Sequence, residues 1–137
     1  MLKLIKYLIN QYFIKYPHHI KYIKNPSLKL QLAVVNDNVW NIKYINIPAY
    51  ETQILSVNIN DDSIQFIKDP CLEVQLIAVN QNGHNIEFIN NPCYEVQLAA
   101  IQEETNKLKE HFKYIREYIT YPDLLELIEI KILACEW

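Results

Sequence analysis

The chain has 137 residues, half of them hydrophobic and 21% charged, with a net charge of −3. That is enough for one globular core, and too apolar and aromatic for disorder. A single glycine, Gly83, excludes phosphate-cradling loops, dinucleotide fingerprints, nucleophile elbows and most tight hairpins, because each needs Gly-rich backbone.

Residues 2–16 predict a helix that is apolar around more than half its circumference, through Leu2, Leu4, Ile5, Leu8, Ile9, Tyr12, Phe13 and Tyr16. Lys3, Lys6, Asn10, Gln11 and Lys15 interrupt it and no small-residue cleavage site follows, so it does not read as a signal peptide. No stretch of the chain reaches the roughly 18 uninterrupted apolar residues of a membrane span, and a membrane is not expected among its partners.

From residue 25 the chain repeats. Pro26, Pro48, Pro70 and Pro92 stand 22 residues apart, and aligning on them superimposes 25–46, 47–68, 69–90 and 91–112. Column 7 is then Gln31, Gln53, Gln75 and Gln97, column 8 is Leu32, Ile54, Leu76 and Leu98, and column 11 is Val35, Val57, Val79 and Ile101. An upstream half-copy, HIKYIK (19–24), matches the tail NIKYIN (41–46), FKYI (112–115) matches it again after a three-residue insertion, and Pro122 opens a degenerate last copy. Clear central copies with worn ends are the signature of a stacked array, whose terminal repeats must face water.

Each copy predicts two helices. Proline suits the first helical turn, where its missing N–H costs nothing, and columns 4, 8 and 11 form an apolar i, i+4, i+7 stripe. Asn at columns 12 and 14 is expected to stop the helix in the left-handed conformation, and Asn41, Ser63 and Asn85 to cap a second helix of about a turn and a half. IKYIN and IQFIK are β-prone, but apolar columns 18, 20 and 21 do not alternate as a strand requires. The expectation is an all-α fold, a right-handed α-solenoid of about four 22-residue two-helix repeats in a single domain, 1–137. Residues 1–24 would form the N-terminal cap and half-repeat, 25–112 the four repeats, and 113–137 the C-terminal cap.

The motif P-x-x-x-x-Q-L-x-A-V-x-x-N, as in Pro70, Gln75-Leu76, Ala78-Val79 and Asn82-Gly83, resembles the short helical repeats of unknown function found in large DNA virus, phage and some bacterial proteins. It is more distantly similar to leucine-rich-variant and HEAT-like α-solenoids. The resemblance covers residues 19–112 and implies a helical array of mobile-element origin. It carries no activity onto any residue here.

The glutamine column reads as structural, because an amide beside the apolar stripe must hydrogen-bond the adjoining loop or the next repeat. The aromatic column (Tyr22, Tyr44, Phe66, Phe88) reads as core rings between short helices rather than a base-stacking platform. Cys71, Cys93 and Cys135 form no CxxC pair and read as free thiols in a reducing cytoplasm, with Cys71 and Cys93 near the interhelical contact and too far apart to bridge. His18, His19, His84 and His111 match no zinc spacing. Asp61–Asp62 and Glu103–Glu104 read as solvated loop acids, and no nucleophile–base pair emerges. The chain is expected to be a non-enzyme with no metal or cofactor.

Charge is strongly polarised: residues 1–46 carry a net +6 and residues 47–137 a net −9. Column 5 (Lys29, Glu51, Glu73, Glu95) and column 19 (Lys21, Lys43, Gln65, Glu87, Lys109) both change sign along the chain. Such a chain is expected to bind another macromolecule, foremost a protein, with complementary charge setting the register. The resemblance adds a narrower version, a phage- or virus-encoded inhibitor of a host defence protein such as a CRISPR effector nuclease. The alternative is nucleic acid, RNA in particular, bound at the basic end by Lys15, His18, His19, Lys21, Lys24 and Lys43 with Tyr22 and Tyr44 interleaved. The apolar C-terminal segment, 122–137, adds the expectation of a homodimer through that helix.

Overall fold

The structure, a computed structural model, describes residues 1–103 and 109–135, so Glu104, Trp137 and part of the fourth repeat lie outside the described residues. Every regular element among the described residues is helical. The chain folds as two compact units, Met1–Lys68 and Asp69–Trp137. The first contains α1 (Leu2–Lys15), η1 (Pro17–Tyr22), α2 (Leu28–Asp37), η2 (Val39–Tyr44), α3 (Tyr50–Ile59) and η3 (Asp61–Phe66), where η denotes a 3₁₀ helix. The second contains α4 (Leu72–Gln81), η4 (Gly83–Phe88), α5 (Tyr94–Gln102), α6 (Lys109–Ile115), η5 (Arg116–Tyr118) and α7 (Pro122–Ala134). In the first unit α2 packs on α1 and on α3; in the second α4 packs on α5, and α6 on α7.

Local chemistry places the helix ends differently from the sequence expectation. The repeat prolines sit outside the first turn: Ser27, Ala49, Cys71 and Cys93 are the N-caps, and each proline precedes its cap. Proline there holds the chain extended into the helix, and it is Pro17 and Pro122 that occupy first-turn positions. Asn38, Asn60 and Asn82 do not end their helices in the left-handed region. Their backbones are extended, with φ between −152° and −155°. Each side-chain oxygen instead accepts a hydrogen bond from the N–H two residues on, at 2.9–3.1 Å, and so caps the following 3₁₀ helix.

The short helices are therefore 3₁₀ rather than α, and they begin at column 15. Asn41, Ser63 and Asn85, expected to cap them, lie buried within them. The Asn41 and Asn85 amides donate backwards to the carbonyls of Val34 (3.1 Å) and Ala78 (3.3 Å), tying each short helix to the long helix before it. The stripe also shifts. Column 4 (Leu28, Tyr50, Leu72, Tyr94) is exposed and column 8 half-buried, while columns 6, 10 and 11 form the buried face. Leu30, Val34 and Val35 illustrate it, and Ile42 and Ile45 of columns 18 and 21 complete the core. Fully burying each such aliphatic stabilises the fold by about 1.5–3 kcal/mol. The aromatic column between them is overturned as core: Tyr22 and Phe66 are exposed, and Tyr44 and Phe88 half-buried. In a 3₁₀ helix columns 18 and 21 lie three apart and point inward together, which leaves column 20 on the outer side.

The four glutamines share one bond, although Gln53 Oε1 lies buried without a hydrogen-bond partner. The Nε2 atoms of Gln31, Gln53, Gln75 and Gln97 donate to the carbonyls of Pro26, Pro48, Pro70 and Pro92 at 2.7–3.0 Å. Gln31 Oε1 also accepts from the Ala49 N–H at 2.8 Å, and Gln97 Oε1 from the Thr120 N–H at 2.7 Å. One side chain thereby satisfies the loop entering its own helix and the loop entering a later one. The second partner lies just after Pro48 but two residues before Pro122, so the last copy is out of register with the others.

Candidate interaction surface

The basic candidates gather on the first unit. η1 follows α1 after a single residue, so the end of α1 and the histidines of η1 meet. The Tyr12 hydroxyl and His19 Nδ1 share a 2.6 Å hydrogen bond, and the His19 ring stacks on Tyr16 with centroids 5.8 Å apart. His18 lies against His19 (4.3 Å) and edge-on to Tyr44 (6.2 Å), while His19 also meets Tyr22 (6.2 Å). Three ammonium groups sit over these rings: Lys15 on Tyr16 at 5.4 Å, Lys21 on Tyr22 and Lys43 on Tyr44, both at 5.1 Å. Asn46 of the next copy donates to the Lys21 carbonyl at 3.1 Å, holding η1 in place.

Seven of the eight sequence candidates, Lys15, His18, His19, Lys21, Tyr22, Lys43 and Tyr44, thus join one surface network. Lys24 lies exposed in the connection beyond η1, outside those contacts. Tyr22 retains 75% of its surface exposure. Tyr12, which the sequence suggested only as a capping apolar residue, is the member that was missed. Its place depends on η1 folding back onto α1, which residue periodicity does not record. Trp40, also exposed and edge-on to Phe66 at 6.0 Å, was missed because it falls in no repeated column.

The second unit buries a small group of polar side chains. Glu103, expected to be a solvated loop acid, is 7% exposed and accepts from the Gly83 N–H at 3.3 Å. Its expected counterpart, Asp61–Asp62, forms the first turn of η3, favourable for acids at a helix N-terminus. Beside Glu103 lies His111, 4% exposed, with His84 4.6 Å from it and stacked on Tyr114 at 4.5 Å. Burial first, and then His84, push the His111 pKa down, against smaller pulls from Glu103 and the Ala100 carbonyl. The Tyr114 hydroxyl donates to Glu87, which raises its pKa. Gly83 is required by space: a Cβ would stand 2.7 Å from the Ala100 carbonyl oxygen and 3.3 Å from the His111 ring.

Among the described residues no group of three or more His, Cys, Asp or Glu is arranged to hold a metal ion, and no helix is long and apolar enough to cross a membrane. Cys71, Cys93 and Cys135 form no disulfide among the described residues, with Cys71 exposed and Cys93 half-buried at their cap positions. Comparison with family models, curated proteins and solved structures finds no match for the chain.

Proposed function

We propose that this chain is a non-catalytic helical-repeat protein whose copies stack as a right-handed α-solenoid of about four 22-residue repeats, and that it binds an acidic protein through the network around Tyr22 and Tyr44. The recurrent glutamine bond supports the repeat, since an identical side chain makes an identical contact in all four copies, and the bonds of Gln31 to Ala49 and Gln97 to Thr120 support stacking on the following element. One observation carries the binding reading: exposed tyrosines and lysines are already held against one another before any partner arrives. Such a surface loses little side-chain entropy on docking, and tyrosine is enriched among residues that dominate protein interfaces. The setting proposed is the cytoplasm. The narrower role, inhibition of a host defence nuclease by a phage or viral protein, rests on the repeat resemblance by analogy.

Nucleic acid is the second reading, favoured by lysines interleaved with exposed rings. The lysine ammonium groups over Tyr16, Tyr22 and Tyr44 occupy faces on which bases would stack, and that weighs toward protein. The test pairs capture from the native cell by the wild type and by a Tyr22→Ala/Tyr44→Ala variant with titration of a single-stranded RNA across salt. A protein captured by the wild type and lost by the variant supports the first reading. RNA binding that weakens steeply from low to moderate salt supports the second.

A further inference from the structure

We propose that a cleft in the second unit binds a guanidinium group, through the carboxylates of Glu87 and Glu117 and the rings of Tyr118 and Tyr121. The cleft measures about 640 Å³, within the roughly 300–1,000 Å³ of small-ligand sites. It opens between the segment that enters α5 and the segment that joins η5 to α7. Gln97, 1% exposed, fastens the two segments together. It donates to the Pro92 carbonyl at 2.8 Å and to Thr120 Oγ1 at 2.9 Å, and accepts from the Thr120 N–H at 2.7 Å. In the first unit Gln31 ties Ala49, itself the N-cap of α3, whereas Gln97 ties Thr120, one residue short of the N-cap Tyr121. The rims are therefore held by a buried amide, and Tyr121, beyond the tie, lines the cleft.

Charge and shape select the ligand. Glu87 and Glu117 are both exposed, and no Lys, Arg or His lines the cleft with them, so an anion is repelled. Tyr114 donates to Glu87 Oε2, which fixes that carboxylate and leaves Oε1 to accept from a ligand. Glu117 forms no hydrogen bond or ion pair with another described residue, so both its oxygens can accept. A hard divalent ion would need about six oxygen ligands, and among the described residues no three His, Cys, Asp or Glu are arranged to hold a metal. A guanidinium is flat, carries five N–H donors and stacks on aromatic faces, which suits carboxylates set beside tyrosines. Those rings are already positioned: Tyr121 meets Tyr94 in a T-shaped pair at 5.2 Å, and Tyr118 lies 5.7 Å from Tyr114. The Tyr94 hydroxyl donates in turn to Asp123 at 2.9 Å. Ile89 and Pro92 supply apolar surface for the alkyl chain that carries the guanidinium. An alkylammonium would find the carboxylates but gain nothing from the rings' flat faces.

The test titrates agmatine, a guanidinium on a short alkyl chain, into the isotope-labelled full chain while the amide resonances are followed. A second arm uses the blocked tripeptide acetyl-Gly-Arg-Gly-amide. Saturable shifts are expected at the amides of Glu87, Asn90, Glu117 and Tyr121. Glu117→Gln, which breaks no side-chain contact with another described residue, and Glu87→Gln should each weaken agmatine binding about tenfold or more, the worth of one charge-assisted hydrogen bond. The neutral urea analogue of agmatine should bind more weakly by a similar factor, and butylamine should bind less well than agmatine. Tighter binding of the tripeptide would identify the ligand as an arginine side chain of a protein, and tighter binding of agmatine as a free small molecule. Absence of saturable shifts, equal binding of the neutral analogue or of butylamine, or undiminished binding by Glu117→Gln would overturn the proposal.

Discussion

The two units use one backbone device and opposite placements of polarity. In each, a glutamine closes the loop that enters its helix, through Gln31 to Pro26 and through Gln97 to Pro92. The first unit then spends its histidines and tyrosines on the surface, where His18 and His19 meet Tyr16, Tyr22 and Tyr44. The second encloses one histidine and one acid, with His111 and Glu103 against Gly83, and leaves Tyr94 and Tyr121 exposed. A repeat therefore fixes the columns that build the brick and leaves the rest free, so equivalent bricks can carry a surface network of rings and lysines in one place and an internal polar contact in another.

The sharpest way to break that comparison is at the shared device. Gln97→Leu leaves the Pro92 carbonyl and the Thr120 N–H without their partner and also loses the bond to Thr120 Oγ1. It is expected to destabilise the chain by about 3 kcal/mol, and Gln31→Leu by about 2 kcal/mol, in urea unfolding. Equal and negligible losses would mean that the amides are incidental.

Gly83→Ala probes the enclosed cluster alone. The Ala100 carbonyl is backbone and cannot rotate away from the new methyl, so a loss of about 2 kcal/mol is expected, read as a lower thermal midpoint. A smaller effect follows from pH. His111 is held neutral, with a folded pKa below its ordinary 6.5. The unfolded chain therefore binds the proton more readily, and stability should be full above about pH 6.5 and decline as pH falls through that value. Thermal midpoints at about pH 7.5 and pH 5.5 should differ in the wild type and differ less in His111→Gln. Smallest in stability is Tyr44→Ala on the surface network, below about 1 kcal/mol by the same melting experiment, although it should remove partner binding.

What was legible in the sequence was the period, the all-helical class, and the glutamine column as a loop contact. What was not legible followed from geometry that a column count does not carry. Asn38, Asn60 and Asn82 were identified as boundary residues, but whether Asn ends one helix or caps the next depends on the sign of φ. Once the short helix is 3₁₀, columns 18 and 21 share a face and column 20 does not, which moved Tyr22 and Phe66 from core to surface. Glu103 could not have been placed, because its partner Gly83 lies 20 residues away and only that copy has a glycine. Charge clustering picked out the basic residues, of which Lys21 and Lys43, and Tyr22 and Tyr44, occupy equivalent columns of η1 and η2, whereas Tyr12 joins them only through a fold-back.

The account rests on glutamine side chains holding loop amides outside the helices that carry them. Amide hydrogen exchange at Ala49 and Thr120 tests this most directly, because both N–H groups belong to connections between helices and donate to Gln31 and Gln97. Protection at both comparable to the helical amides of α2 and α5, abolished at Ala49 by Gln31→Leu and at Thr120 by Gln97→Leu, is the predicted result. Exchange at both at the rate of an open loop in the wild type would contradict it.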